Sequence, residues 1–144
     1  MTVDDQTTRR MTYDEMEIGL KDSRRLQLTP ELVESYARLV GDDNPVHLND
    51  EFAAKSFFRK RVAHGMIGAG LISAVLGTRL PGPGAIYLSQ ELDFKRPMNL
   101  NDAITAWAEV AEKEDRHKKV RLRTWVENQD GQVVMDGFAV VLVR

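Results

Sequence analysis

The pattern of apolar and polar positions changes character at about residue 80. Before that point apolar residues recur at helical spacing, and after it they alternate with polar residues as they do in strands. The later pattern predicts strands over residues 85–96, 103–113, 118–128 and 132–143, with turns at Arg96-Pro97 and at residues 128–131. A further strand is predicted earlier, over Arg24–Leu28. The chain is therefore expected to form helices first and then an antiparallel sheet.

Two helices are predicted before the sheet, with a short one between them. Thr29-Pro30-Glu31 offers a hydroxyl cap, a proline at the first helical position and an acid near the positive end. Helical spacing continues to Val40, and Gly41 is predicted to end the helix. Asn49-Asp50 predicts a short helix through Phe58. The stretch from residue 64 to 76 is nearly uncharged and rich in small residues, which is typical of a helix covered on most sides.

These elements predict an α+β fold in one domain. A helix this apolar needs a broad surface to cover it, which a curved antiparallel sheet wrapped around the helix would supply. The 144 residues, 42% of them hydrophobic, are enough for one domain with a core. Residues 1–10 are polar and are expected to form a flexible tail, which leaves residues 11–144 as the domain.

Composition argues against several classes of partner. Twenty basic and twenty-two acidic residues give a net charge of −2, without the basic excess that favours nucleic acid or an anionic membrane. The chain has no cysteine, hence no disulfide or thiolate chemistry, and this fits a reducing compartment. No apolar stretch is long enough to span a bilayer, and the first residues do not have the pattern of a signal peptide. We expect a soluble cytoplasmic protein with no nucleic-acid or membrane partner.

The candidate chemistry lies between Gly41 and residue 50, where Asp42 precedes His47 by five residues across an Asn44-Pro45 step. The residue before a proline favours extended geometry, so the chain is expected to bend there. A carboxylate and an imidazole that meet at one water molecule form an acid/base pair. The alternative is that Asp42 and Asn44 only stabilise a turn through their own backbone, with His47 as an exposed loop residue.

Residues 42–47, Asp-Asp-Asn-Pro-Val-His, followed by His64-Gly65-Met66, resemble the MaoC-like (R)-specific enoyl-CoA hydratases, which are hotdog-fold proteins. The likeness continues through Leu80-Pro81-Gly82, Ile86-Tyr87 and residues 94–97, Phe-Lys-Arg-Pro. It implies reversible hydration of trans-2-enoyl-CoA to (R)-3-hydroxyacyl-CoA, without cofactor or metal, by a homodimer or a dimer of dimers. Open alternatives are a dehydratase acting on acyl-carrier-protein, branched or dicarboxylic acyl-CoA thioesters, a thioesterase, and a module that only binds acyl thioesters.

The resemblance also implies roles for individual residues. It places the catalytic acid at Asp42, in preference to the neighbouring Asp43, the catalytic histidine at His47, and the oxyanion-binding amide at Gly65. It further implies that Asn44 supports the bend and that Ser73 lines the acyl pocket.

The cations available for the phosphates of coenzyme A are Arg59, Lys60, Arg61, Lys95 and Arg96, although residues 59–61 could equally be a solvated charged run. His64 is expected to fix the backbone where the central helix begins. No metal site is expected, because the histidines and acids lack a preset ligand spacing.

Overall fold

The computed structural model describes residues 7–144 of the chain. In chain order the elements are β1 (Lys21–Gln27), α1 (Pro30–Val40), α2 (Pro45–Leu48), α3 (Asp50–Ala54), α4 (Gly65–Thr78), β2 (Ile86–Phe94), β3 (Ala103–Glu114), β4 (Lys119–Glu127) and β5 (Val133–Leu142). The five strands form one sheet in the order β1-β3-β4-β5-β2, and every neighbouring pair is antiparallel. Strands β1 and β2 are therefore its two edges.

The predicted elements are present, and the ends of β2 to β5 fall within two residues of the predicted ones. The short helix predicted through Phe58 is an exception, because α3 ends four residues earlier, at Ala54. Strand β1 begins three residues before its predicted start, at Lys21. Within residues 7–144, no helix has the length and apolar character needed to cross a membrane.

Helix α1 begins and ends where its sequence signals predict. The Thr29 hydroxyl accepts a hydrogen bond from the Leu32 amide at 3.1 Å, and Pro30 occupies the first turn. Gly41 adopts a left-handed conformation with φ of 78°, which is strained for residues that carry a Cβ atom. Its amide donates to the Ala37 carbonyl at 2.9 Å. The helix therefore ends at Val40, and only its cap Gly41 separates it from Asp42.

The core lies between α4 and one face of the sheet. Alternate residues of the two central strands point inward and are buried, among them Ile104, Ala106, Ala108, Val110, Val120, Leu122 and Val126. From α4 come Ile67, Leu71, Ile72, Val75 and Leu76. The opposite side of α4 is exposed at Met66, Gly70 and Ser73. The sheet of a single chain therefore covers one side of this helix and leaves the other uncovered.

The first described residues are attached to the body of the domain. The Thr7 carbonyl accepts from Arg79 Nη1 at 2.6 Å, and Arg9 pairs with Asp22 at 2.7 Å. The buried Arg79 side chain, directly after α4, also pairs with Asp22 on β1 at 2.9 Å. This ion pair connects the end of α4 with β1. Only residues 7–10 of the predicted flexible tail belong to the part of the chain that the structure describes. Residues 1–6 lie outside the described part of the chain, and the predicted domain boundary stays a prediction.

Candidate active site

The segment between α1 and α3 forms a capped turn followed by the four-residue helix α2. The Asn44 side chain accepts from the Val46 amide at 3.2 Å and caps α2, which begins at Pro45. The Asp42 carboxylate in turn accepts from the Asn44 amide at 3.3 Å. Asp42 and Asn44 therefore do stabilise the turn, and by doing so they place His47 on a defined helix.

His47 is fixed through its ring. Its Nδ1 atom lies 2.7 Å from the Val62 carbonyl oxygen, and since a carbonyl can only accept, Nδ1 carries the proton. The lone pair is therefore on Nε2. Burial lowers the pKa of His47 below its ordinary value of 6.5, the hydrogen bond with Val62 opposes this shift, and the nearby His64 lowers the pKa further. The imidazole is thus neutral near pH 7 and can accept a proton.

His64, the residue before α4, contacts both His47 and Asp42. It is 3% exposed, and its ring stacks on that of His47 with centroids 3.7 Å apart. Its Nε2 atom donates to the Asp42 carbonyl at 3.0 Å and lies 3.9 Å from the Asp42 carboxylate. The ring of Tyr36 contacts it edge-on. His64 therefore fixes the backbone of Asp42 and supports the ring of His47 at the same time.

Asp42, His47 and His64 each bring one potential ligand atom within 4.8 Å of the others. Two hydrogen bonds of about 2.8 Å that meet at a tetrahedral angle at one water span about 4.6 Å, which lies within this limit. A metal ion would compete with the hydrogen bond from His64 Nε2 to Asp42, and His64 Nδ1 is buried. The arrangement favours proton transfer, and the expectation of no metal stays a prediction.

A cavity of about 540 Å³ lies beside these residues. Its wall includes Asn44, His47, Gly65, Phe94, Met98 and Met135. Gly65 is the first residue of α4, whose first amides have no acceptor within the helix and carry its partial positive charge. Asp42 is not part of this wall, and its side chain is about half exposed beside it. His47 and the start of α4 therefore share one cavity, and the Asp42 carboxylate is linked to it through its closeness to the two histidines.

A sequence model of the MaoC-like domain matches residues 13–131, most of the chain. The chain belongs to the MaoC-like domain family. It is 44% identical over 131 residues to the 3-hydroxybutyryl-CoA dehydratase of Methylorubrum extorquens, an alignment that covers 91% of this chain and 83% of that protein. It is also 44% identical over 128 residues to an (R)-specific enoyl-CoA hydratase of Rhodospirillum rubrum, covering 86% of this chain and 88% of the relative.

Among solved structures, the unliganded R-hydratase PhaJ1 of Pseudomonas aeruginosa superposes with a TM-score of 0.88 at 42% identity. The match covers 93% of this chain and 86% of that structure. The hotdog fold and the MaoC-like family inferred from the residue motifs are therefore confirmed.

The five cations considered for the phosphates of coenzyme A occupy three kinds of position in this MaoC-like chain. Lys95 and Arg96 line the cavity, and their amides donate to the Val134 carbonyl. Arg59 and Lys60 are exposed and are not part of the cavity wall. Arg61 points inward, where its Nε atom donates to the His47 carbonyl at 2.8 Å. Roles of these residues toward coenzyme A stay predictions.

The other two predicted site residues, Asn44 and Ser73, differ in their position relative to the cavity. Asn44 lies in the cavity wall as well as capping α2. Ser73 is exposed in the middle of α4 and is not part of the wall, so its place at an acyl pocket stays a prediction.

The role of Val62 could not be predicted, because a backbone carbonyl leaves no signal in the sequence. For His64, its position next to Gly65 was the available signal, but the ring stacking depends on the folded chain.

Proposed function

We propose that this chain catalyses the reversible (R)-specific hydration of trans-2-enoyl-CoA to (R)-3-hydroxyacyl-CoA. The observation that carries the proposal is the convergence of the Asp42 carboxylate and the neutral His47 ring beside a cavity that also contains the start of α4. The names of the relatives support the reaction class, since a hydratase and a 3-hydroxyacyl dehydratase run the same chemistry in opposite directions.

In this mechanism Asp42 and His47 bind one water molecule between them. The Nε2 lone pair of His47 accepts a proton as the water oxygen bonds to C3 of the enoyl group. The protonated Asp42/His47 pair then returns a proton to C2 on the same face, so that water has been added across the double bond and the pair is back in its starting protonation state. Acid/base assistance of this kind contributes about 10²- to 10⁴-fold in rate.

The amide of Gly65 is proposed to donate a hydrogen bond to the thioester oxygen, where negative charge builds up as C3 is attacked. The N-terminus of α4 adds partial positive charge at that point. One such donor is worth about 3–4 kcal/mol in the transition state. Glycine suits the position because no Cβ atom separates the substrate from the backbone.

Lys95 and Arg96 are the proposed contacts for the phosphates of coenzyme A, because they are the members of the cationic set that line the cavity. Each would contribute to substrate binding more than to turnover. The proposed location, the cytoplasm, rests on the absence of cysteine.

The test replaces Asp42 by Asn and His47 by Gln and follows the loss of enoyl absorbance of crotonyl-CoA, with chiral analysis of the product. We expect kcat to fall by about 10²- to 10⁴-fold in each variant, with a cooperative thermal transition that shows both variants to be folded. Asp43→Asn is the matched control, since it removes the neighbouring exposed carboxylate, and it should retain the parental rate. Parental rates in both site variants, or an (S) product from the parent, would contradict the proposal.

We also propose that two copies of the chain pair along β2. This nine-residue edge strand exposes Ile86, Leu88 and Phe94, each 43% to 55% accessible. The other edge strand, β1, has charged residues at four of its seven positions, whereas β2 has them at two of nine, Glu91 and Asp93. Long apolar edge strands offer unpaired backbone groups to another strand, whereas charged edges discourage pairing. The β2 edge is therefore the favoured dimer contact, in line with the side-by-side sheets that the family resemblance implies.

A further inference from the structure

Arg61 does not have the surroundings expected of a phosphate ligand. Its side chain is 13% exposed, and it is not part of the cavity wall. Its Nε atom donates to the His47 carbonyl at 2.8 Å, and Nη1 lies 3.9 Å from an Asp50 carboxylate oxygen. Nη2 is buried and has no hydrogen-bond partner within residues 7–144. The guanidinium is thus directed at the backbone beneath the site, away from solvent.

The hydrogen bond from Arg61 supplies a donor that helix α2 does not have itself. A helix of four residues is far too short to be stable by itself, and the carbonyl groups of its last turn have no donor within the helix. The His47 carbonyl is one of these groups. A guanidinium at the C-terminal end of a helix both satisfies such a carbonyl and interacts favourably with the helix dipole. Arg61 therefore fixes the residue whose ring is proposed to act on water.

The residues that follow Arg61 bind the same helix at other points. The Val62 carbonyl accepts from the His47 ring at 2.7 Å, and the Val62 amide donates to the Val46 carbonyl at 3.3 Å. On its other side the segment is anchored by a β-bridge between Val62 and Asn99 and by the Ala63 amide, which donates to the Met98 carbonyl at 2.8 Å. Arg61 and Val62 thus hold both the backbone and the ring of His47, from a segment that is itself anchored to Met98 and Asn99.

We propose that Arg61 is a positioning residue for His47, which fixes the His47 carbonyl so that the ring stays aligned with Val62 and its Nε2 lone pair points to the reacting water. The proposal rests on the proposed hydratase function and replaces the phosphate contact expected from the sequence. The planar guanidinium places its Nε–H group at one defined position, which a flexible lysine ammonium does not reproduce. Geometry rather than charge is therefore the property that matters at residue 61.

The test uses Arg61→Met and Arg61→Lys with two substrates, crotonyl-CoA and the crotonyl thioester of N-acetylcysteamine, which lacks the coenzyme A phosphates. We expect kcat/KM to fall about 10- to 100-fold in both variants and by the same factor on both substrates, because a small misplacement of a catalytic group has effects of this size. The KM for crotonyl-CoA should stay within about twofold of the parental value, since binding is not the property lost.

Two control variants calibrate these measurements. Arg96→Gln should raise the KM for crotonyl-CoA and leave the N-acetylcysteamine thioester unaffected, because Arg96 lines the cavity. Lys55→Met removes an exposed cation from the same stretch of chain and should match the parent on both substrates.

A second readout follows the His47 ring itself and needs no substrate. The nitrogen NMR shifts of the histidine ring should show the Nδ1–H tautomer in the parent and a mixture of tautomers in Arg61→Lys. Arg61→Lys keeps the charge and most of the length of the side chain, so it can be measured even if Arg61→Met does not fold.

Parental rates and tautomer in Arg61→Lys, or a raised KM confined to crotonyl-CoA, would overturn the positioning role. A parent that hydrates neither thioester would refute the proposed function instead, while the ring shifts still decide the role of Arg61.

Discussion

Replacing Gly65 by alanine separates the stability of the fold from the proposed chemistry. A Cβ atom built on Gly65 lies 3.0 Å from Cε1 and 3.1 Å from Cδ1 of Phe94, a few tenths of an ångström inside the usual carbon–carbon contact. The Phe94 side chain is 55% exposed at the end of β2 and can move by this amount. Alanine also favours helix over glycine by up to about 1 kcal/mol. The free energy of unfolding should therefore change by less than about 1 kcal/mol.

The expected effect on the reaction is much larger. The new methyl group would stand in the cavity wall, between an incoming thioester oxygen and the amide proposed to bind it. Loss of one oxyanion donor lowers kcat by about 10²- to 10³-fold in enzymes where it has been removed. A stable protein with a slow reaction is thus the expected phenotype of Gly65→Ala.

The assay compares initial rates of crotonyl-CoA hydration and thermal unfolding for Gly65→Ala, Phe94→Ala and the double variant. If the methyl group blocks the substrate, the double variant stays as slow as Gly65→Ala. If kcat falls only because the displaced Phe94 ring obstructs the cavity, the double variant, which lacks that ring, regains the parental rate. A kcat within about threefold of the parent in Gly65→Ala, or full recovery in the double variant, would refute the reasoning about the amide.

Two other predictions concern the second histidine and the sheet edge. The pKa of His47 is lowered mainly by burial and further by His64, so His64→Gln should raise that pKa. Since neutral His47 is the proposed base, the fall of kcat/KM at acidic pH should then begin at higher pH. A fall that stays in place or moves to lower pH would count against His47 as the base. Leu88→Lys on β2 should turn a dimer into a monomer in light scattering, with Ser23→Lys on β1 as the control. A monomeric parent, or dissociation caused by the β1 variant instead, would remove β2 from the interface.

The parts of the fold that the sequence predicted depend on local signals. Thr29, Pro30 and Gly41 determine the ends of α1 through contacts within a few residues, so their types were sufficient. The alternating strands were located for the same reason, since inward and outward positions differ in polarity along each strand. The turn at Asn44 was also predicted, although the helix α2 that follows it was not.

The parts that could not be predicted depend on residues distant in the chain. His47 and Val62 are 15 positions apart, and the sequence between them gives no indication that a ring nitrogen will meet that carbonyl. The three consecutive cations at positions 59–61 look alike in sequence, yet two are exposed and Arg61 points inward. Similarly, the small residues of α4 indicated a covered helix, whereas Ser73 lies on a side that a single chain leaves open. Only the folded backbone distinguishes these cases.

The small size of helix α2 has a consequence for protein engineering. Its four residues are secured by the Asn44 cap on one side and by residues 61–63 on the other. A graft of residues 41–50 onto an unrelated scaffold would transfer the Asp42 and His47 side chains without the contacts from Arg61 and Val62 that align them. The smallest portable module is therefore discontinuous: it joins the loop after α1 to the short stretch that ends at Gly65.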